Sequence, residues 1–158
     1  MMTATIGGTA ELAATLKELS QSVLSRTALE AANTGAAVFE TAARAYARSS
    51  KDTGNLLNSI GVRVRKVRKS SSIAGVIGPR RGFKITAPDG SVRDAAANAN
   101  LTEFGHMAKN GKQVAAKPFM RPAFANAKSG AMNQMAAVFK KRVESEVAKL
   151  ARKRARGK

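Results

Sequence analysis

The sequence has no cysteine and no tryptophan, and it has a single histidine among its 158 residues. Without cysteine there is no disulfide framework, no thiolate metal site and no cysteine nucleophile, so we expect the chain to fold in a reducing cytosol. The lone His106 has no second imidazole or thiolate with which to share a metal, so a solvated or interface histidine is expected rather than a ligand. These absences predict a protein without a cofactor.

Aromatic residues make up only 4% of the chain. This scarcity argues against a platform that stacks nucleobases, which single-strand binders build from aromatic side chains. Long apolar runs are missing as well: none approaches the about 18 residues that span a bilayer, and the N-terminus lacks the basic start and apolar stretch of a signal peptide. We therefore expect no membrane partner.

The length and the hydrophobic content of 44% suit one domain with a core of its own. No internal repeat divides the chain. Beyond Leu150 the sequence is strongly basic and has no apolar partner, so self-repulsion favours a flexible tail. We predict a single domain over residues 1–150 and a basic, flexible tail over residues 151–158.

Acidic residues are also scarce, with 10 Asp and Glu against 28 Lys and Arg and a formal net charge of +18. A field of this strength attracts polyanions whatever the fold, so nucleic acid or an acidic protein surface is the expected neighbour. Any contact with DNA would be to backbone phosphate. Solvated surface charge is the competing interpretation. The candidate contacts with a partner or with DNA are Arg63, Arg65, Arg68, Arg80, Arg81, Lys109, Lys112, Arg152, Lys153, Arg154 and Arg156.

The few carboxylates form no catalytic pattern. Asp89 and Asp94 lie in a predicted turn region, and Glu103 precedes an aromatic residue. Turn formation and helix capping are favoured for them over acid–base catalysis. The segment from Gly78 to Gly82 lacks the Lys-Ser/Thr ending of a phosphate-binding loop and follows a hairpin rather than opening a helix. We expect no enzymatic activity.

Apolar spacing predicts two helices in the N-terminal third. Leucines at helical spacing predict a first amphipathic helix that ends near Val23. Thr27 and Glu30 form a capping-box pattern, which predicts that a second helix begins at Thr27 and runs to about Ser49. Gly35 costs about 1 kcal/mol relative to alanine within a helix, so it is the expected site of any bend or break.

The middle of the chain predicts two hairpins. Thr53 is placed to cap a helix of one or two turns. Valines then alternate with basic residues up to Val67, with an extra residue that predicts a bulge, and Ser70 to Ser72 turn the chain into a returning strand. A second, exposed hairpin or long loop is predicted from Arg80 to Asp94, around a Pro-Asp-Gly turn.

The last third predicts two helices separated by a loop. The segment from Ala95 to Phe104 is predicted to form a helix that ends at Gly105, and His106 to Lys117 is predicted to be a loop. Pro122 suits the first residue of a long helix because its missing N–H is not needed there. The apolar stripe of this helix consists of Ala127, Ala131, Met135, Phe139, Val143, Val147 and Leu150. The predicted fold class is α+β, with N-terminal helices, an antiparallel β-hairpin sheet and a long C-terminal helix packed on the sheet.

Two short motifs in this order carry a resemblance to a known family. The first is an alanine-rich helix that leads into Thr53-Gly54-Asn55-Leu56 and Ser59-Ile60. The second is Glu103-Phe104-Gly105, a basic loop, and then Lys117-Pro118-Phe119-Met120-Arg121-Pro122-Ala123. The pair spans roughly Leu29 to Phe139 and resembles the neck, tail-completion or head-to-tail connector proteins of siphophage-type tailed bacteriophages. His106 stands where this family usually has threonine.

The resemblance implies a virion structural protein that is assembled in the host cytoplasm and closes into a homo-oligomeric ring, expected to be a hexamer or a dodecamer. Such a ring would join the capsid portal or adaptor to the tail, next to a stopper, tail terminator or tail tube protein, with genomic DNA passing through its channel. The alternative is a basic architectural protein that contacts the phosphate backbone of DNA without reading bases. That alternative explains the charge but not the two motifs.

The motif residues are interpreted most simply as determinants of the fold. The first motif would fix the corner between a helix and a strand, and the second the start of the last helix. The predicted corner residues are Thr53, Gly54, Asn55, Leu56, Ser59, Ile60, Glu103, Phe104, Gly105, Pro118, Phe119, Arg121 and Pro122. Contacts with partners are then expected on the basic hairpin, the loops and the tail.

Overall fold

A computed structural model describes residues 20–48, 55–68, 70, 72–86 and 90–157 of the chain. Their elements follow in the order α1 (Gln21–Ala47), α2 (Asn55–Ser59), β1 (Ile60–Lys66), β2 (Ile73–Pro79), β3 (Lys84–Thr86), β4 (Val92–Asp94), α3 (Ala95–Phe104), β5 (His106–Met107), β6 (Gln113–Val114) and α4 (Met120–Arg156). Each strand pairs with the next one along the chain in a two-stranded antiparallel sheet. The predicted α+β class is confirmed.

Ser20 is the N-cap of α1. Its backbone is extended, and its Oγ accepts a hydrogen bond from the Val23 N–H at 3.4 Å. The predicted capping box is wrong, because Thr27 is buried within the helix and Glu30 instead accepts a hydrogen bond from Arg142 on α4 at 2.9 Å. One helix therefore covers residues 21–47, and the part of the predicted first helix before residue 20 lies outside the described residues.

The helices α1 and α4 pack along each other at small residues. Gly35 is buried in α1, and a Cβ atom added there would overlap the Met135 side chain and lie 3.5 Å from the backbone oxygen of Ala131. Ala131 itself is fully buried. The missing side chain of Gly35 therefore makes room for α4, and α1 continues through Gly35 without a break.

The long helix α4 spans 37 residues and buries its apolar stripe mainly against α1. Ala127, Ala131 and Val143 of the predicted stripe are buried. Phe39 of α1 stacks on Phe124 of α4, with ring centroids 5.2 Å apart. The expected packing of the last helix on the sheet is corrected: α1 covers the sheet, and α4 covers α1. A two-stranded sheet is narrow enough for one helix to cover its inner face, and the small residues of α1 then favour helix-on-helix packing.

Both ends of α4 differ from the sequence prediction. The first residue is Met120, and Pro122 occupies the first turn, where its missing N–H is still not needed. The last residue is Arg156, so the basic segment from residue 151 continues the helix. The domain boundary at residue 150 and the flexibility of the tail stay predictions. Among the described residues, α4 and the other helices are not long and apolar enough to cross a bilayer.

The strands β1 and β2 form the hairpin that the alternation of valine and basic residues predicts. Their register begins at Ile60 opposite Pro79 and continues without interruption to Lys66. The predicted bulge is wrong because β1 ends at Lys66, and the Val67 N–H donates to the Ser72 backbone oxygen at 2.9 Å to close the turn. The extra residue is thus the start of the turn.

The segments on either side of α3 follow the prediction in part. The second hairpin is present as β3 and β4, with residues 87–89 of its turn outside the described residues. Asp94 caps α3 by accepting a hydrogen bond from the Ala96 N–H at 2.9 Å, and Gly105 ends the helix with a φ of 73°. The predicted loop from His106 to Lys117 contains a minimal hairpin, because Gly111 with a φ of 74° lets the chain turn so that β5 pairs with β6.

The core lies where α1, β1, α3 and the start of α4 meet. Its buried members are Ala43, Ala47, Ile60, Ala99, Phe119 and Ala123. Phe119 and Ile60 are its largest fully buried side chains. Because the remaining members are alanines, three helices can approach the same two large side chains closely.

Replacing Ala131 by leucine is expected to lower the free energy of unfolding by about 1–3 kcal/mol, because the larger side chain must enter the close contact between α1 and α4. Ala136→Leu is the matched control, since Ala136 is exposed on the same helix and leucine is nearly as good a helix former as alanine. Urea unfolding followed by circular dichroism measures both variants. Equal stability of the two would contradict the close packing of α4 on α1.

Candidate functional site

The first motif forms the corner at which α2 turns into β1. Ser59 and Ile60 are fully buried there, and Leu56 packs against the core. The Ser59 Oγ donates to the Leu56 backbone oxygen at 2.7 Å, which satisfies the buried hydroxyl within the corner. Thr53 and Gly54 lie outside the described residues, so their role at this corner stays a prediction.

Hydrogen bonds to backbone oxygens tie this corner to three other segments. The Ser59 oxygen accepts from the Arg80 backbone N–H at 3.0 Å and from the Arg80 Nε at 3.3 Å. Arg44 of α1 donates to the Ile60 oxygen at 2.6 Å. The Asn55 side chain donates to a backbone oxygen of β4 at 3.4 Å. The corner thus connects the sheet, α1 and the second hairpin.

The second motif is held together by the Glu103 carboxylate, which caps α4. Its Oε2 accepts from the Phe119 N–H at 2.7 Å and the Met120 N–H at 2.9 Å, and its Oε1 accepts from the Arg121 N–H at 3.1 Å. These N–H groups belong to the start of α4, where the helix supplies no acceptor, and the helix dipole favours a negative charge there. The Arg121 Nε adds a fourth hydrogen bond at 3.2 Å.

The same contacts set the charge of Glu103. Burial raises the pKa of its carboxyl group. The backbone hydrogen bonds from Met120, Phe119 and Arg121, together with the Arg121 side chain, outweigh burial, so the pKa of Glu103 lies below its ordinary value. The ionised carboxylate therefore stabilises the folded chain at neutral pH.

The sequence predicts that Glu103 lies at a corner, but not that it binds the N–H groups at the start of α4. The available signal was a missing cap: Lys117, Pro118 and Phe119 offer no Ser, Thr, Asp or Asn side chain before α4. A helix that begins without a local cap needs an acceptor from another segment, and the nearest upstream acidic residue is Glu103.

Phe104 and Gly105 complete the second corner. The Arg121 guanidinium lies over the exposed Phe104 ring, with Cζ 5.0 Å from the ring centroid. Gly105 has a φ of 73°, and a Cβ atom there would lie 2.7 Å from the Val114 backbone oxygen. Glycine is therefore required twice over, by the backbone conformation and by the close passage of β6. Pro118 is exposed and leads the chain into the buried start of α4.

Four of the predicted contact residues line one groove beside β1 and β2. The groove has a volume of about 790 Å³, and we call it the arginine groove. Its basic residues are Arg63, Arg65, Arg80 and Arg81, and the remaining described residues that line it are uncharged. Among the ion pairs between described residues, none includes one of these four arginines. The groove is therefore a concentrated positive surface that has no counterion among the residues the structure describes.

The other predicted contact residues lie away from this groove. Arg68 is exposed in the turn between β1 and β2, and Lys109 and Lys112 are exposed in the turn between β5 and β6. The last turns of α4 contain Arg152, Lys153, Arg154 and Arg156. The structure thus brings together four of the eleven predicted contact residues, and the rest are spread over separate parts of the surface.

The described carboxylates and the single histidine were compared with the requirements of a metal site and of acid–base catalysis. Within them, no group of three or more His, Asp or Glu side chains could hold a metal ion. Asp94 and Glu103, the described carboxylates considered for catalysis, both cap helices. The expectation that the chain is not an enzyme stays a prediction.

One protein-family model matches the chain. It is described as "Bacteriophage HK97-gp10, putative tail-component", and it matches residues 10–105, more than half of the chain. The match includes the whole first motif and the Glu103-Phe104-Gly105 part of the second, and it ends before α4. No curated protein and no solved structure matches this chain.

Glu103→Gln is expected to lower the free energy of unfolding at neutral pH by about 2 kcal/mol, because a neutral amide is a weaker acceptor for the N–H groups at the start of α4. The folded chain lowers the pKa of Glu103. Its stabilisation is therefore complete above the ordinary glutamate pKa of about 4.3 and is lost as the pH falls through the folded value. The stability difference between wild type and Glu103→Gln should accordingly shrink in acid.

Denaturant unfolding at a series of pH values measures this difference. Glu144→Gln is the control, since the Glu144 side chain is exposed and lies 3.9 Å from Lys140 in a surface pair that contributes little. A difference for Glu103→Gln that stayed constant from pH 7 to about pH 3 would show that its charge does not cap α4.

Gly105→Ala is expected to destabilise the protein by about 1–3 kcal/mol more than Gly111→Ala. Both glycines have a positive φ, 73° and 74°, so alanine is strained at either position. Only at Gly105 would the added Cβ also meet backbone atoms; nothing lies within 4 Å of it at Gly111. Thermal unfolding of the two variants provides the comparison, and equal losses would argue against the close passage of β6 behind Gly105.

Proposed function

We propose, from the premise that this chain belongs to the HK97-gp10-like family of bacteriophage tail components, that it is a structural subunit of a homo-oligomeric ring in the phage neck. As a tail component, the protein is part of the virion. The proposed ring is a hexamer or a dodecamer that joins the capsid portal or adaptor to the tail and surrounds the path of the genomic DNA. We propose that the ring is assembled in the host cytoplasm.

The observation that carries this proposal is the family match over residues 10–105. That range contains α1, the first corner, both larger hairpins and α3, and so it contains the whole arginine groove. A closed ring of identical subunits needs two different complementary surfaces on each subunit. Exposed apolar side chains such as Phe104 and Met107, at the end of α3 and in β5, supply surface of a second kind.

The proposed partners are further copies of this chain and the neighbouring proteins of the neck: an adaptor, a stopper, a tail terminator or the tail tube. Such a joint works by surface complementarity and requires no chemical reaction. With a net charge of +18, the subunit would dock most readily on acidic neighbouring surfaces, because complementary charge speeds encounter and disfavours wrong partners.

A second candidate function is that of an architectural protein bound to the phosphate backbone of DNA. The charge and the arginine groove favour it. It predicts steep loss of affinity with the logarithm of the salt concentration, whereas ring formation predicts an oligomer that depends on protein concentration and not on DNA.

Light scattering over a concentration series, combined with a salt titration against duplex DNA, separates the two functions. We expect assembly to a hexamer or a dodecamer in the absence of DNA. Ring closure can require contact with the neighbouring ring of the particle, in which case the isolated chain does not assemble. The second measurement is therefore electron microscopy of assembled phage particles, with the chain located by a labelled antibody. A chain that stays monomeric, binds duplex DNA tightly and is missing from the neck would contradict the proposal.

A further inference from the structure

We infer that the arginine groove binds an acidic segment of a neighbouring virion protein, one that carries apolar side chains between its carboxylates. This inference rests on the proposed function and names the chemistry of one partner contact.

The register of β1 and β2 places charged and apolar side chains next to each other on an uncovered face. Arg63 lies directly opposite Val76, and Arg65 lies opposite Ala74. Directly opposed residues of an antiparallel pair point to the same side of the sheet. Arg63 and Arg65 are exposed, and Val76 is 64% exposed, which is unusual for a valine in the middle of a strand. This face therefore combines apolar surface with two guanidinium groups that form no ion pair with any described carboxylate.

Arg80 is held in place at one end of the groove. Its Nε donates to the Ser59 oxygen at 3.3 Å, and its Cζ lies 5.5 Å from the centroid of the Phe83 ring. Its side chain crosses Gly61, where an added Cβ atom would lie 2.9 Å from the Arg80 Cδ. A guanidinium that is already ordered loses less entropy on binding, and its planar shape suits a carboxylate.

The lining favours a polypeptide over a nucleic acid. Apart from the four arginines and Asn100, the groove is lined by glycines and apolar residues, among them Val76, Ile77 and Pro79. The backbone of a DNA duplex presents phosphates and sugars and has no apolar side chains that would cover these residues. An extended peptide can present carboxylates and apolar side chains on the same face when they occupy every second position in turn. Paired guanidinium and carboxylate groups form strong, charge-assisted hydrogen bonds. Charge and apolar surface together thus specify an acidic, partly apolar segment.

The test uses the full chain and fluorescence anisotropy with three labelled probes at physiological salt. The first is a glutamate–valine peptide with the repeat Glu-Ser-Val-Ser, which places glutamate and valine on the same face when it is extended. The second is a glutamate–serine peptide of the same length, with serine in place of valine, and the third is a short DNA duplex. The double variant Arg63→Gln/Arg65→Gln removes two charges from the groove. Lys128→Gln/Lys141→Gln is the matched control, because it removes two exposed charges from α4. Circular dichroism establishes that each variant is folded.

We expect the groove variant to bind the glutamate–valine peptide about tenfold more weakly, and the control variant to bind it nearly as well as wild type. Val76→Asn keeps the charge and removes the exposed apolar side chain. It is expected to weaken the glutamate–valine peptide several-fold and to leave binding of the glutamate–serine peptide and the duplex unchanged.

Three outcomes would overturn the inference. They are equal losses in the groove and control variants, equal binding of the two peptides to wild type, and a loss in the groove variant that is confined to the duplex. The location of the chain in the particle distinguishes failure of this inference from failure of the proposed function. A chain that is located in the neck but fails these binding tests contradicts this inference alone. A chain that is missing from the particle contradicts the proposed function.

Discussion

The Glu103 carboxylate accepts hydrogen bonds from three successive backbone N–H groups at the start of α4. Much of the remaining structure depends on this contact. It holds the start of α4 against the end of α3. Phe119 is thereby positioned in the core together with Ile60. The Glu103 carboxylate also holds Arg121, whose guanidinium lies over one face of the exposed Phe104 ring. Because a buried carboxylate is costly unless it is fully hydrogen-bonded, the corner is a specific arrangement rather than a loose contact.

The contact at this corner sets the direction in which α4 runs along α1. The two helices approach closely because Gly35 has no side chain and the buried Ala131 has only a methyl group. The order of layers follows from that fit: α4 covers α1, and α1 covers the inner face of β1 and β2. Because α4 packs on α1, it does not cover the outer face of the sheet. Arg63 and Val76 are exposed on that face, and α3 lines one side of the arginine groove beside them.

The positive surface has a simple origin in how the scarce carboxylates are used. Glu30 pairs with Arg142, Glu40 with Arg44, Glu103 caps α4 and Asp94 caps α3. With only 10 acidic residues in the chain, few remain to neutralise basic residues outside these contacts. These four carboxylates are thus used at helix starts and in ion pairs of α1, and the arginine groove is left without a counterion within the described chain.

Sequence alone determined the features that depend on near neighbours: the alternation of β1, the apolar stripe of α4, and the end of α3 at Gly105. It failed where a distant segment decides. Local propensity predicts a weak point of the helix at Gly35, whereas in the structure α4 packs against this glycine. The cap of α4 comes from a residue 16 positions before Phe119, and the groove joins arginines from β1 with others that follow β2. Only the tertiary structure determined these three contacts. The spacing of apolar and charged residues predicts a helix or a strand and its buried face, but it does not predict which distant segment packs there.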